Sequence, residues 1–339
     1  MPPPHPSHRW RRRLPSLAAI ALAMLAAHAG AQEVVVLGGM HTNPPVPGED
    51  DRSSAYAYGY QQNFAEHWYG TYTYLNEGHL GGHHRDGHSL QLWWRYLMLD
   101  RRLALSVGAG PYLSFDTTDP QPDGGHVNQH DVSLLASAAA TWYVGGAWLL
   151  QARFNRTLFA SGFQSNTLLL GVGYQLDRGD RPGPFLAPPT AYEAIAPNEL
   201  DVMLGGSIIN SFEHDTAFAG AVEYRRRLWR YVDATVTYLD EGSSAVLRRA
   251  GVATQGWITG TFLQNHLTLG VGLGPYYATS LINRGPDPDP SPSRWAGLLT
   301  LSASYRFNDH WAARLSWYRA MTGYNRDADV FVTGVGYRF

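Results

Sequence analysis

The sequence predicts an all-β fold: a transmembrane antiparallel up-and-down β-barrel with 16 strands arranged as two tandem eight-stranded barrels. Three observations support this prediction. Segments of roughly ten to fourteen residues alternate between apolar and small or polar residues, and turn residues separate them. The stretch that ends the chain, VFVTGVGYRF, keeps this alternation throughout. The two halves of the chain also repeat one another, which indicates a duplicated domain.

The first 31 residues have the three parts of a secretory signal peptide. Arginines at positions 9, 11, 12 and 13 precede an apolar segment, Leu17–Ala27, and small residues follow it. Cleavage near Ala29 or Ala31 fits that spacing. The apolar segment is too short to cross a bilayer as a helix. We therefore expect residues 1–31 to be removed on secretion.

Composition narrows the possible functions. The chain has no cysteine, which excludes a disulfide scaffold, a thiolate site and a cysteine-linked lipid anchor. Without residues 1–31 the chain has 22 arginines against 28 acidic residues, a formal charge of −6. This balance gives no indication of a nucleic-acid partner.

The duplication extends along the whole predicted mature chain. The segment VGAGPYLSFD at Val107–Asp116 returns as VGLGPYYATS at Val271–Ser280, and TYTYLNEG returns as TVTYLDEG. The offset stays between 163 and 167 residues, far longer than a solenoid repeat. We therefore expect one eight-stranded barrel at 32–177, a Pro-rich linker at 178–199 and a second eight-stranded barrel at 200–339.

Alternation and turn signals divide each copy into eight candidate strands. In the first copy they lie at 33–42, 54–64, 68–77, 87–99, 102–115, 131–144, 147–158 and 166–176. In the second copy they lie at 200–210, 216–228, 231–241, 250–263, 266–280, 294–307, 310–321 and 329–339. Short connections alternate with longer polar ones, the pattern of periplasmic turns and extracellular loops. The histidine-rich run at 76–87 belongs to the longer set, so we expect a loop at the outer end.

Sixteen strands close either as two small barrels or as one porin-sized barrel. Trp93 falls on the inward face of the fourth strand, and Trp257 takes the equivalent place in the second copy. Gly108 and Gly272 fall on the inward face of the next strand. Glycines beside an inward tryptophan make room for it in a narrow, filled interior. A wide pore would leave the indole in water, so two eight-stranded barrels are favoured and one 16-stranded barrel is the alternative.

The end of the chain resembles the recognition signal of bacterial outer-membrane proteins, because Phe339 closes a strand with apolar or aromatic residues at every second position. The predicted mature chain as a whole resembles a small outer-membrane barrel of the eight-stranded type, duplicated. The resemblance implies a place in the bacterial outer membrane, contact with its lipid and lipopolysaccharide, and insertion by the outer-membrane assembly machinery through the Phe339 strand. That class includes structural, adhesion and resistance proteins, and enzymes that edit lipid A.

The favoured function is therefore a non-enzymatic envelope protein with surface-exposed loops and a structural or binding role. The alternatives are a lipid A-modifying enzyme, a metal-binding surface protein and a 16-stranded porin-like channel. An enzyme of that kind needs a nucleophile, a base and an acid in mutual reach. His88 and Ser89 are neighbours on one strand, so their side chains point to opposite faces. We assign no catalytic residue.

The run NEGHLGGHHRDGHS, which begins at Asn76, concentrates side chains that bind transition metals. The candidate ligands are His79, His83, His84, Asp86 and His88. Their spacing matches no strict zinc signature, and the alternative is a solvated polar loop. The second copy reads DEGSSAVLRRAGVA at this place and has none of the four histidines. A divalent metal is the one cofactor considered, and it belongs to the first copy alone.

Two sets of charged residues complete the prediction. Arg156 and Arg319 hold equivalent places on the outward face near the outer end. A guanidinium there can bind lipopolysaccharide phosphate in a forked geometry or extend to water. The other set falls on the inward face, where paired charges fill a narrow polar interior; it consists of Glu77, Arg95, Arg153, Glu241 and Arg314.

Overall fold

The computed structural model describes residues 32–42, 52–80, 83–118, 127–160, 164–176, 181–185, 197–209, 215–263, 265–284 and 292–339. Within these ranges the regular elements are β-strands. The described part of the chain contains no helix that is long and apolar enough to cross a membrane. The predicted signal peptide and most of the predicted linker lie outside the described residues.

The first eight strands form a closed antiparallel barrel in sequence order, and the last of them pairs back to the first. They are β1 (Gln32–Thr42), β2 (Arg52–Asn63), β3 (Trp68–Leu80), β4 (His83–Met98), β5 (Leu103–Thr118), β6 (Val127–Gly145), β7 (Trp148–Leu158) and β8 (Asn166–Gln175). In the closing pair Leu37 lies opposite Gly171. This barrel has no open sheet edge. An open edge would expose unpaired backbone N–H and C=O groups to lipid, which is strongly unfavourable.

The next eight strands form a second closed barrel of the same kind. They are β9 (Asn198–Ile209), β10 (Thr216–Trp229), β11 (Val232–Ser243), β12 (Leu247–Phe262), β13 (Leu267–Asn283), β14 (Trp295–Arg306), β15 (Trp311–Met321) and β16 (Ala328–Arg338). Leu204 lies opposite Thr333 in the closing pair of β9 and β16. The prediction of two eight-stranded barrels is confirmed, and the alternative of one 16-stranded barrel is wrong.

Side chains alternate between the two surfaces of each barrel wall, as a pleated strand requires. On β4, Gln91, Trp93 and Arg95 are buried inside, while Leu92 and Trp94 between them are exposed outside. Apolar side chains also line the interior of the first barrel, including Val35, Leu37, Leu75, Leu149 and Leu169. Each interior is therefore a mixed core in which apolar residues pack beside hydrogen-bonded polar ones.

The histidine-rich run corrects one prediction. Strand β3 continues to Leu80 and β4 begins at His83, so only residues 81–82 separate them. The predicted loop at 76–87 is wrong because its residues pair across the hairpin, for example Asn76 with Asp86. Glycine and polar residues predict a loop locally, but the cross-strand hydrogen bonds satisfy the backbone and extend both strands.

The two ends of each barrel differ in the length of their connections. At one end, where each barrel also begins and ends, the strands are joined by short segments such as 146–147 and 230–231. At the other end most connections are longer, for example 119–126 and 284–294. Short turns face the periplasm and long loops face the exterior in outer-membrane barrels. We call the end with the longer connections the outer rim.

Candidate functional site

Equivalent tryptophans are buried inside both barrels. The indole N–H of Trp93 donates to the Thr71 hydroxyl at 3.0 Å, and that of Trp257 donates to Thr235 at 2.9 Å. Trp93 is 0% exposed and Trp257 is 1% exposed. A β-carbon added to Gly108 would lie 2.2 Å from an atom of the Trp93 ring. The glycine therefore leaves the space that the indole occupies, as the inward pattern predicts.

The five inward charged residues of the prediction are buried in the barrel interiors. Each of the five is at most 3% exposed: Glu77, Arg95, Arg153, Glu241 and Arg314. In the first barrel the Arg153 guanidinium lies 5.1 Å from the centre of the Trp93 ring, a cation–π contact. In the second barrel Arg225 takes this role over Trp257, at 3.9 Å.

The ends of the interiors opposite the outer rim are built differently in the two barrels. In the second barrel Arg314 donates to Glu199 and to Asp201, both at 2.8 Å, and Arg338 donates to Glu199 at 2.9 Å. In the first barrel the buried Glu33 accepts hydrogen bonds from neutral groups. These donors are Gln61 at 2.6 Å, Tyr143 at 3.2 Å and Gln175 at 3.1 Å.

Sequence reasoning missed Glu33, Glu199 and Asp201. The signal that could have found the two glutamates is their repeat, because Glu33 and Glu199 open equivalent first strands at an offset of 166 residues. Their partners arrive from strands far away in sequence, so no local pattern indicates them.

An ion pair repeats at the outer rim of both interiors. In the first barrel Arg85 donates to the Glu77 carboxylate and, at 2.5 Å, to the Ser165 hydroxyl, which itself donates to Glu77 at 2.5 Å. In the second barrel Arg249 donates through two nitrogens to the Glu241 carboxylate at 2.5 and 2.6 Å. A two-point guanidinium–carboxylate pair is the strong geometry for such a contact. These pairs tie β3 to β4 and β11 to β12 from the inside.

A β-bulge sits beside each of these ion pairs. The pairing of β3 with β4 runs regularly to Asn76 and Asp86 and then shifts by one residue, so that His79 faces His84. Gly78 lies inside the bulge with φ +73°, a conformation that favours glycine. The same shift occurs after Asp240 in the second barrel. The bulge reverses which side of the wall the following residues face.

This shift separates the predicted metal ligands into distinct environments. The rings of His79 and His84 stack on the outward face, with centroids 4.4 Å apart. His83 turns inward instead, and its Nδ1 lies 2.9 Å from the Asp116 carboxylate. Asp86 accepts from the Tyr74 hydroxyl at 3.1 Å.

His88 and Ser89 point to opposite faces of β4. His88 Nδ1 lies 2.7 Å from the Tyr72 hydroxyl on the outward side, and Ser89 is buried on the inward side. This is the arrangement that strand parity predicts. Among the described residues no group of three or more His, Asp or Glu side chains is close enough to hold a metal ion. The metal site stays a prediction. Of the five predicted ligands, His79 and His84 are the two whose rings stack on each other.

The two outward arginines differ in their cross-strand neighbours. Arg156 is exposed on β7 and faces the neutral Asn166. Arg319, its equivalent on β15, faces Asp329 and donates to its carboxylate at 3.0 Å. Arg319 is only 3% exposed, and its charge is balanced within the barrel wall. The two equivalent positions therefore present different charge to the outside.

The outer surfaces of the barrels indicate the class of protein to which the chain belongs. Large apolar side chains point outward and remain exposed on strands of both barrels, among them Leu92, Leu150, Leu170, Leu204 and Leu315. Charged side chains are buried inside, the reverse of a water-soluble protein. A closed barrel with an apolar exterior and a polar interior is stable in lipid. The chain is a membrane-spanning β-barrel protein.

Comparisons with known proteins give similarities of fold only. No family model matches this chain, and no curated protein matches it significantly. The N-terminal β-barrel domain of Pseudomonas aeruginosa OprF is similar over 43% of this chain and 98% of that chain, with 13% identity and a TM-score of 0.35. Ail, the attachment invasion locus protein of Yersinia pestis, is similar over 43% and 97%, with 12% identity and a TM-score of 0.32. Neisserial surface protein A is similar over 43% and 96%, with 11% identity and a TM-score of 0.33.

Proposed function

We propose that this outer-membrane protein is a pair of closed, non-conducting envelope barrels with a structural role and an outer rim that binds external ligands. The filled interior carries the proposal. Trp93 and Trp257 lie inside the two barrels, and both are almost entirely shielded from solvent. A barrel with a filled interior anchors a protein in the membrane and exposes its outer rim to external ligands. It does not offer a path for solutes.

A channel function is disfavoured by the interior charges. A porin needs a water-filled lumen lined by polar groups. Here the interior arginines are engaged by the protein itself, such as Arg314 with Glu199 and Asp201. Moving water and ions past these groups would require breaking buried ion pairs, which is strongly unfavourable when one partner is left alone.

A lipid A-modifying enzyme is the less supported alternative. Nucleophilic catalysis needs the serine and its base within hydrogen-bond reach, and His88 and Ser89 lie on opposite sides of the barrel wall. The Ser165 hydroxyl at the outer rim donates to Glu77 and accepts from Arg85. These contacts give Ser165 the role of ordering the Glu77–Arg85 ion pair. A structural and binding role of the protein therefore explains the residues of the outer rim better than catalysis does.

Lipopolysaccharide is the first ligand that we propose for the rim, through Arg156. This guanidinium is exposed, points outward two residues before the outer end of β7, and faces a neutral residue across the pair. A planar guanidinium matches the geometry of a phosphate with two parallel hydrogen bonds. Arg319 does not take part in this proposal because Asp329 already pairs with it.

The outer-membrane assembly machinery is the second proposed partner, through the strand that ends at Phe339. This residue is exposed beyond β16, and its backbone N–H donates to Asn198 at 3.0 Å where the second barrel closes. Deletion of Phe339 is expected to lower the amount of inserted protein in cells while leaving refolding in detergent unchanged. An equal loss in both settings would assign Phe339 to barrel stability and would contradict the recognition role.

Conductance across a planar lipid bilayer tests the closed-barrel proposal. We expect no steady conductance from the refolded protein, with or without micromolar zinc, because buried side chains such as Trp93 and Trp257 pack inside both barrels. Far-UV circular dichroism and protease protection on the same preparation establish that the barrels are folded and inserted. A large, steady conductance from that preparation would overturn the proposal.

A further inference from the structure

The stacked imidazoles of His79 and His84 form a pair that the rest of the molecule does not explain. They lie directly opposite each other on β3 and β4 at the outer rim, with ring centroids 4.4 Å apart and planes inclined by 14°. His79 is exposed and His84 is half-buried. We propose that this pair binds one divalent transition-metal ion, with water completing its coordination.

The bulge at Gly78 creates the pair. Before the bulge Asn76 faces Asp86, and an unbroken register would then place His79 opposite His83. The extra residue shifts the register by one, so His79 meets His84 on the outward face instead. His83 points inward to Asp116, 2.9 Å away. One inserted residue therefore selects which two of the three histidines stand side by side.

The chemistry of the pair fits copper, nickel or zinc. Neutral imidazole is a good ligand for these ions and a poor one for magnesium or calcium. Metal–nitrogen bonds of about 2.0–2.1 Å place two ligating nitrogens about 3 Å apart. Rings stacked at 4.4 Å reach that spacing by small rotations about the ring torsion, which is broad for histidine. Both residues are held in paired strands, so little further ordering is needed on binding.

Asn76 contacts the His84 ring beside the proposed site. Its side-chain oxygen accepts from the Gly78 N–H at 2.9 Å, which directs its NH₂ group toward His84 Nε2 at 3.4 Å. This second contact is long for a hydrogen bond. A metal ion at His84 Nε2 takes the place of this weak contact, because both use the same nitrogen lone pair.

The second barrel provides a natural control for the geometry. It repeats the bulge with Gly242 at φ +83°, and Ser243 there faces Arg248 in the place of the two histidines. The bulge glycine and the cross-strand pairing beyond it are therefore repeated, and the paired side chains differ. We expect the metal site in the first barrel alone, and we expect that histidines placed at 243 and 248 would create a second one.

Nickel titration of the full-length protein tests the proposal. The protein carries an affinity tag without histidine, is refolded in detergent and is titrated with nickel chloride by isothermal calorimetry. His79→Ala and His84→Ala are each expected to weaken nickel binding at least about tenfold, with unchanged far-UV circular dichroism. His83→Ala is the matched control and is expected to leave the affinity as it is. Lowering the pH through the imidazole range should weaken binding in the wild type, because protons compete for the nitrogens.

The outcomes separate clearly. Nickel binding that survives His79→Ala and His84→Ala unchanged would overturn the proposal. Loss of binding in His83→Ala, with the other two variants unaffected, would move the site to the inward dyad and would also overturn it. The double variant Ser243→His with Arg248→His is expected to raise the stoichiometry by one, and an unchanged stoichiometry would contradict the claim that the bulge geometry suffices.

Discussion

Replacing Gly108 by alanine tests whether the barrel needs a glycine at this position to leave space for the Trp93 indole. The three atoms nearest to an added β-carbon all belong to Trp93, and the nearest is 2.2 Å away. Carbon atoms pack at about 3.5–4.0 Å, so the indole must move by more than about 1 Å inside a filled interior. Overpacking of this kind costs about 1–3 kcal/mol of the free energy of unfolding.

The effect should depend on the tryptophan. In a Trp93→Ala background the indole no longer meets the new β-carbon. There Gly108→Ala is expected to stabilise the barrel by roughly 0.4–1 kcal/mol, because alanine restricts the unfolded chain. The double-mutant cycle should therefore give a coupling of about 1.4–4 kcal/mol, the sum of the expected loss and the expected gain, which overlaps the range of residues in direct contact.

Urea unfolding of the protein refolded into lipid vesicles, followed by far-UV circular dichroism, measures these free energies. Gly38→Ala is the matched control, because nothing lies within 4 Å of its added β-carbon. It should show only the unfolded-chain gain of roughly 0.4–1 kcal/mol and no loss. Gly272→Ala should repeat the loss in the second barrel, since its β-carbon would lie 2.4 Å from Trp257. If Gly108→Ala costs the same with and without the indole, the reasoning on the filled interior is refuted.

Three other perturbations have defined outcomes. Glu241→Ala leaves the buried Arg249 without its carboxylate and should cost about 3–5 kcal/mol in urea unfolding; Glu241→Leu with Arg249→Met should recover most of that loss. Arg156→Gln should weaken binding to lipopolysaccharide vesicles while Arg319→Gln leaves it unchanged, and equal losses would contradict the assignment. Burial raises the pKa of Asp215, but hydrogen bonds from a serine hydroxyl and backbone N–H groups outweigh it, so the pKa lies below the usual range. Because the folded-state pKa is lowered, this carboxylate stabilises the connection at 244–246, which donates hydrogen bonds to it, above the usual aspartate pKa of about 3.9, and loses that effect as the pH falls through the lowered value. Proteolysis of the connection at 244–246 at acid pH should show that step in the wild type and not in Asp215→Asn.

The sequence was sufficient to predict most of the fold. Sixteen alternating segments and the repeat at 163–167 residues predict the two barrels. The inward positions of Trp93 and Gly108 predict a filled interior, because strand parity alone determines which side a residue faces. Parity also predicts the inward face for Glu77 on β3 and Arg314 on β15, and both side chains are buried in the structure. These features follow from local periodicity, which can be read directly from the chain.

The arrangement of the rim required the tertiary structure. The bulge at Gly78 reverses the facing of His79, and a parity count carried past it gives the wrong partner. The repeat of glycine at 78 and 242 was the available signal, but a glycine by itself does not distinguish a bulge from a turn.

What the sequence by itself determined is the barrel count, the strands and the side of the wall on which most residues lie. What only the tertiary structure decided is which side chains meet. Ser165 reaches Glu77 across 88 residues of chain, and Glu33 meets Tyr143 across 110 residues. Arg319 pairs with Asp329, whereas the equivalent Arg156 faces the neutral Asn166. The physical reason is that periodicity is a property of one strand, whereas contacts inside a closed barrel depend on the register of all eight.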